Sequence, residues 1–298
     1  MWGGFLGKGK MRRKGLVAIS ILALSLLVGC HPTPRSEARK AVKVAILPEY
    51  SLELMAAKYM DLINYLSKET GYRIEYVSSL SYTNYLSTLE SSRADVGFQN
   101  ALVYQTLVKT RGAYPLCQAI GLDGSRTNRG VIITHKGSGI DSIYGLKNKR
   151  VMVASKKAVS GYLAQIADCA AQGIDPDRDL MIIIGTRQDE VVRKVLRGEV
   201  DAGFVREDVL QMVGRGAEVS NIRIIHYTRP YPNWVVAAFK ETDPEIAAKV
   251  KGALLRLNEE TLESRTILQL MGLQGFAESQ DSDYQEVREA AARLGLPL

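Results

Sequence analysis

One phrase occurs twice in the 298-residue chain, as Ser91-Ser-Arg-Ala-Asp-Val-Gly-Phe98 and as Leu196-Arg-Gly-Glu-Val-Asp-Ala-Gly-Phe204. Each copy follows a stretch with helical apolar spacing, and each sets Asp and then Gly-Phe on a short strand pattern. Strand and helix patterns alternate before both copies, the order that builds α/β domains with a mainly parallel sheet. Two such passes predict two similar lobes, with the chain crossing between them and a cleft left between. In open α/β sheets a ligand sits outside the C-terminal ends of the strands, so the cleft is where to look for one.

The first pass reads as a strand over residues 42–47 stopped by Pro48, then a helix over residues 52–70. That helix has apolar positions Leu54, Met55, Tyr59, Leu62, Ile63 and Leu66, and Gly71 closes it. Strands follow at 72–77, 94–98, 116–121 and 130–135, with a helix at 82–92. The second pass has a helical turn at 142–146, strands at 150–154, 180–184 and 200–204, and helices at 160–172 and 189–196. Strands at 222–226 and 234–239 come next. From Asp243-Pro244 onward the pattern is helical to near the end.

The opening of the second pass carries chemistry. A β-branched run ends at Ala154, a polar turn follows, and Ser160-Gly161 begins a segment with Leu163, Ile166, Ala167 and Ala170 at helical spacing. Such a helix start presents unpaired N–H groups and the positive end of the helix dipole to an anion. The plainer role for Ser160 is an N-cap.

The formal charge of +7 invites a nucleic-acid reading, but its distribution excludes one. Five of the 39 basic residues (Lys8, Lys10, Arg12, Arg13, Lys14) fall in residues 1–29, which hold no acid; the remaining 34 face 32 acidic residues. Met11-Arg-Arg-Lys14 followed by a short apolar run over residues 16–28 is shaped as an export signal, with Met11 the better-shaped start. Leu27-Val28-Gly29-Cys30 resembles a bacterial lipobox. The expectation is a signal peptide over 1–29, a lipid on Cys30 and a tether over 30–41, anchoring an extracytoplasmic protein to the envelope. An uncleaved anchor or an ordinary secretory signal are the alternatives. Export permits a disulfide between Cys117 and Cys169; two buried thiols are the other possibility.

No enzyme constellation is present. H-E-x-x-H, G-x-S-x-G and zinc-type Cys-His spacings are all missing, so no enzyme, metal or cofactor is expected. Asp95 and Asp201 read as structural acids in the repeated phrase, and His135 and His226 as structural residues at strand ends. Tyr231 and Trp234 wall the cleft or pack in the core.

Several phrases occur in order: Leu80-Ser-Tyr-Thr-Asn-Tyr85, Arg93-Ala-Asp95, Asp123-Gly-Ser125, Ser138-Gly-Ile-Asp-Ser-Ile-Tyr-Gly-Leu-Lys147, Ser160-Gly-Tyr-Leu163, Gly198-Glu-Val-Asp201 and Pro232-Asn-Trp-Val-Val236. Together they resemble the phosphate/phosphite/phosphonate-binding proteins of ABC transporters, of the type 2 periplasmic-binding-protein fold. The resemblance implies a two-lobed protein that closes on a small anionic ligand and hands it to a permease and its ATPase. Lobe 1 is expected over 42–133 plus 233–298 and lobe 2 over 134–232, hinged near residues 132–135 and 229–233.

The resemblance also implies the ligand positions. Tyr82 matches a ligand-contacting Tyr. Asn128 stands where a second Tyr is usual. Ala158-Val159-Ser160-Gly161 stands for a Ser-Thr-Ser-Gly that holds phosphonate oxygens, Gln188 for a His, and Asp208 and Asn233 for two acids that hold an amino group. The missing hydroxyls imply a ligand that departs from the aminoalkylphosphonates. Arg187 and Arg206 restore anion contacts or lie solvated at the surface. The protein is expected to be a monomer. A lipoprotein that senses a ligand for a membrane sensor kinase is the alternative function.

Overall fold

The computed structural model describes Met1, residues 40–213 and residues 217–298. The expected signal peptide, Cys30 and the tether up to residue 39 lie outside the described residues. No helix among the described residues is long and apolar enough to cross a membrane.

The elements in chain order are β1 (Ala41–Ile46), α1 (Leu52–Thr70), β2 (Arg73–Val77), α2 (Tyr85–Ser92), β3 (Val96–Gln99), α3 (Ala101–Arg111) and β4 (Tyr114–Gly121). Next come β5 (Thr127–Asn128), β6 (Gly130–His135), β7 (Lys149–Val153), α4 (Ala164–Ala171), α5 (Pro176–Asp179), β8 (Leu180–Ile184), α6 (Gln188–Leu196), β9 (Ala202–Arg206) and α7 (Glu207–Val213). The chain ends with β10 (Ile222–Tyr227), β11 (Tyr231–Pro232), β12 (Val235–Ala238), α8 (Pro244–Arg256), α9 (Leu262–Met271), β13 (Leu273–Glu278) and α10 (Gln285–Arg293).

Local chemistry sets the helix ends. Ser51 caps α1 by accepting from Leu54 N, and Gly71 ends it at φ 74°, a conformation that costs a residue with a Cβ. The face of α1 bearing Met55, Tyr59, Leu62, Ile63 and Leu66 is buried. Each such side chain contributes roughly 1.5–3 kcal/mol on burial.

Among the described residues two large sheets form, in the orders β13-β4-β12-β3-β1-β2 and β10-β6-β9-β7-β8, besides the two-stranded pair β11-β5. Each contains a parallel triplet, β2-β1-β3 in one and β8-β7-β9 in the other. Beside β3 and β9 lies an antiparallel strand, β12 and β6 respectively. The repeated phrase therefore occupies equivalent places, on β3 and β9. Its two acids do the same work: Asp95 accepts from Lys43 N at 2.8 Å, and Asp201 from Arg150 N at 2.8 Å. Each thereby satisfies a donor on the adjacent strand.

Three expectations are corrected here. The sheets are mixed, not mainly parallel, because β12 and β6 each follow a crossing and run against the strands they join. The C-terminal region is not helical throughout: β13 pairs antiparallel with β4 at the sheet edge. The first crossing is not at residues 132–135, because all of β6 pairs with β9 and β10 in the second sheet. The chain crosses instead through β5, which pairs with β11 on the return as Tyr231↔Asn128 and Pro232↔Thr127. The connection between the sheets is thus a two-stranded ribbon.

Cys117 on β4 and Cys169 on α4 are free, buried thiols in different parts of the fold. Burial pushes both up to about 12. His135 accepts from Gly137 N, and His226 pairs with Asp168, so both histidines serve local structure.

Candidate functional site

The C-terminal ends of β1 and β3 face those of β7 and β9 across the cleft, each delivering a polar group. β1 leads through Pro48 to Glu49, and β3 leads to Asn100, the cap of α3. β7 leads to a single π-helical turn over Val159–Leu163, and β9 ends on Arg206, followed by Asp208. An irregular turn at this place is a common mark of function. Gln165 holds it down: its Nε2 donates to Ser160 O at 2.9 Å, Val205 O at 3.2 Å and Val131 O at 3.3 Å.

Six of the expected ligand residues, Tyr82, Asn128, Ala158, Val159, Ser160 and Gln188, line one small chamber. Gly161 adjoins it, its missing Cβ position 3.4 Å from the Gln188 side chain. Asp208 and Asn233 instead line a neighbouring cavity of about 550 Å³. Asn128, Arg206 and Trp234 line both and form the wall between the two.

Ser160 is no N-cap. Its hydroxyl donates to Asn128 Oδ1, while Asn128 Nδ2 donates to Asn233 Oδ1 at 2.8 Å. This chain ties the π-helical turn to both strands of the connecting ribbon. Tyr82, its phenol pushed up by burial, accepts from Asn100 Nδ2 at 2.6 Å. Asn100 Nδ2 also donates across the cleft to Lys157 O at 3.2 Å.

The small chamber is almost full. About 10 Å³ remains, which is at the lower bound for one water molecule. The occupant is the chain's own Glu49, only 2% exposed. Its Oε1 accepts from Gln188 Nε2 at 3.0 Å and from Arg206 Nη1 at 2.9 Å, and its backbone carbonyl accepts from Gln188 N at 3.1 Å. Oε2 lies 2.8 Å from Arg206 Nη2 but has no aligned hydrogen-bond donor. Arg206, 7% exposed, is also forked onto Asp208 through Nε and through Nη2 at 2.7 Å, and its guanidinium stands 5.4 Å from the Trp234 ring.

Burial raises the Glu49 carboxyl to about 7, with Arg206 pulling it down, Asp208 pushing it up and Lys58 pulling it down. Desolvation costs this carboxylate more than its partners return. Burial also opposes the charge on Asp208, but the Arg206 guanidinium outweighs it and holds that carboxyl below its ordinary value.

Glu49, Asn100 and Lys58 were not legible as site residues, although each carries a signal. Glu49 follows directly on a strand end, where cleft ligands sit. Lys58 is a cation inside the apolar stripe of α1, between Met55 and Leu62. Of the two arginines, Arg206 belongs to the cleft, whereas Arg187 pairs with Asp189 and lines neither chamber. Trp234 is both core and wall: it packs edge-on against Phe98 at 5.2 Å and lines both cavities.

Two α/β lobes, joined by a short ribbon and facing each other across converging polar groups, define a two-lobed solute-binding protein. Comparison with known families makes this specific. Residues 44–284 match the family of ABC transporter, phosphonate, periplasmic substrate-binding proteins, and the chain belongs to it. It is 22% identical over 275 residues to the phosphate-import protein PhnD of Mycolicibacterium smegmatis, covering 81% of this chain and 82% of that one. The binding-protein component of an ABC phosphonate transporter from Pseudomonas aeruginosa superposes with a TM-score of 0.79 at 14% identity, over 86% and 87% of the two chains. PhnD1 of Prochlorococcus marinus in complex with methylphosphonate superposes with a TM-score of 0.78 at 18% identity, over 86% and 98%. The family is one of extracytoplasmic transport proteins.

Proposed function

We propose that this protein is the solute-binding lipoprotein of an ABC importer, that it captures a small oxyanion of the phosphate/phosphonate class, and that it delivers this ligand to the permease. The observation that supports the ligand class is Glu49. A carboxylate is itself an oxyanion, and here one sits in the chamber on Gln188 Nε2 and Arg206 Nη1. Glu49 belongs to the first lobe and its donors to the second. When the lobes part, Glu49 leaves and the donors stay, open to an incoming anion. Ser160, Gly161, Ala158 and Val159 then shape the second-lobe side, and Tyr82 the first-lobe side. Asn128 and Asn233 sit at the ribbon, and Asp208 orients Arg206. Ligand contacts to both lobes supply the free energy of closure.

Anchoring through a lipid on Cys30, with residues 1–29 removed, keeps the monomer beside the permease. Cys30→Ser should move the protein from the membrane fraction to the soluble one; retention in the membrane would remove the lipid from this account.

The ligand class is tested by thermal denaturation of the purified protein with phosphate, phosphite, sulfate, acetate and methylphosphonate. A ligand at a hundred times its Kd adds ~2.7 kcal/mol of stability. Saturable stabilisation by a phosphorus oxyanion is expected. Saturable stabilisation by acetate alone, or no saturable response to any of the five, overturns the proposal.

A further inference from the structure

The larger cavity is lined by a cation that has no hydrogen bond and no ion pair among the described residues. Lys58, on α1, lines this space of about 550 Å³ and is 4% exposed. Its Nζ stands 5.0 Å from the centre of the Tyr50 ring and 5.6 Å from that of Tyr59. Among the described residues it makes no hydrogen bond and no ion pair. A buried ammonium without a partner is costly and ordinarily gives up its proton or acquires a counter-ion.

The other charged groups lining the cavity are accounted for. Arg206 is forked onto Asp208 and bonded to Glu49. Arg129 is forked onto Glu207 at 2.6 and 3.0 Å. Asp123 is exposed, and its Oδ1 accepts from Ser125 N. Asn233 Oδ1 is likewise taken, by Asn128 Nδ2 and Trp234 N. The unspent electrostatic capacity of the cavity is therefore the positive charge of Lys58. Burial lowers the Lys58 ammonium, and Asp208 raises it.

The cavity also has room. Its volume lies in the range that holds an organic metabolite, far above the space a bare oxyanion fills. Tyr59, Phe98 and Trp234 supply an apolar wall.

We propose that the ligand is a two-headed organic anion, with one oxyanion head in the chamber beside Arg206 and a second anionic group, a carboxylate, on Lys58 Nζ in the larger cavity. This rests on the oxyanion-binding function proposed above and adds the charge of the ligand's far end. The carboxylate takes two of the three ammonium donors, and the short carbon chain between the heads lies against Trp234. An amine at that end would meet Lys58 as a like charge.

The test uses three phosphonates on the protein from Cys30 onward, in which Trp234 is the only indole. Trp234 emission is titrated with methylphosphonate, 2-aminoethylphosphonate and 3-phosphonopropionate. The carboxylated compound is expected to bind at least tenfold tighter than methylphosphonate, and the amine no tighter than methylphosphonate. Lys58→Met should abolish the carboxylate advantage and leave methylphosphonate within threefold. Lys249→Met, which removes an exposed lysine on α8, should leave all three within twofold. If methylphosphonate binds and the carboxylate adds nothing, or the amine binds tightest, this inference falls while the oxyanion function stands. An equal loss of both ligands in Lys58→Met also overturns it. If none of the three phosphonates binds, the inference and the phosphonate class fall together.

Discussion

Glu49→Gln separates the cost of burying a carboxylate from the benefit of its hydrogen bonds. The carboxyl moves from an ordinary 4.5 to about 7 in the folded protein. Each tenfold change in proton affinity is ~1.4 kcal/mol, so ionising Glu49 costs the fold roughly 3 kcal/mol. The sign follows from linkage. Between about 4.5 and 7 the native state holds a proton that the unfolded chain has lost, so stability falls as pH rises through that interval, and the loss is complete above about 7. Gln keeps the shape, carries no charge and has no titration there. Asp208 acts in a different window: its carboxyl is lowered from 3.8, so its contribution is present above that value and is lost as pH falls below it. The assay is urea unfolding of both proteins from pH 4.5 to 8. Relative to Glu49→Gln, the wild type should lose about 3 kcal/mol across the interval, and the difference between the curves isolates Glu49 from every other group. Parallel curves, or a wild type that gains on the variant as pH rises, would refute the reasoning. Glu49 would then be an ordinary ion pair that Arg206 fully compensates.

Three further outcomes follow from the same contacts. Arg206→Ala removes the guanidinium between Glu49 and Asp208 and should cost ~3–5 kcal/mol at pH 7.5, the range for one partner of a buried pair, with a smaller cost at pH 5 where Glu49 is protonated; denaturant titration at the two pH values measures both. Gly130→Ala sets a methyl against Gln165 Nε2 and 2.6 Å from Ser160 O, so it should destabilise by ~1–3 kcal/mol, read as a lowered melting temperature. In a Cys30→Ser background, Cys117 and Cys169 should resist iodoacetamide at pH 8 in the folded protein and both react after unfolding in guanidinium, checked by intact mass; modification of either in the native state would show that the burial holding their thiols near 12 is incomplete.

Sequence reasoning reached the fold where the signal was local and periodic. The stripe of α1 and the β7–α4 unit were legible because burial of one face imposes a period on neighbouring residues. Helix α3 was not, because its first two turns are buried on all sides and carry no period of 3.6. Nor was β13, where Gly275 interrupts a short run at a sheet edge. The first crossing was misplaced for a related reason. β6 is apolar and β-branched wherever it pairs, and nothing in its own residues says which sheet it joins.

The same division holds at the site. By itself the sequence showed that two α/β units repeat and that Asp95 and Asp201 are matched acids in them; that Tyr82, Asn128, Ser160 and Gln188 belong to one place was what the family resemblance implied. Those are properties of short segments and of their order. Only the tertiary structure decided what fills that place. Glu49 and Arg206 are 157 residues apart, on strand ends of different sheets, and their pairing depends on how the lobes meet. No period or spacing encodes a contact across a cleft. Lys58 shows this most plainly. In the sequence it is one lysine on a helix, and in the fold it is a buried cation lining a cavity, with no hydrogen bond and no ion pair among the described residues.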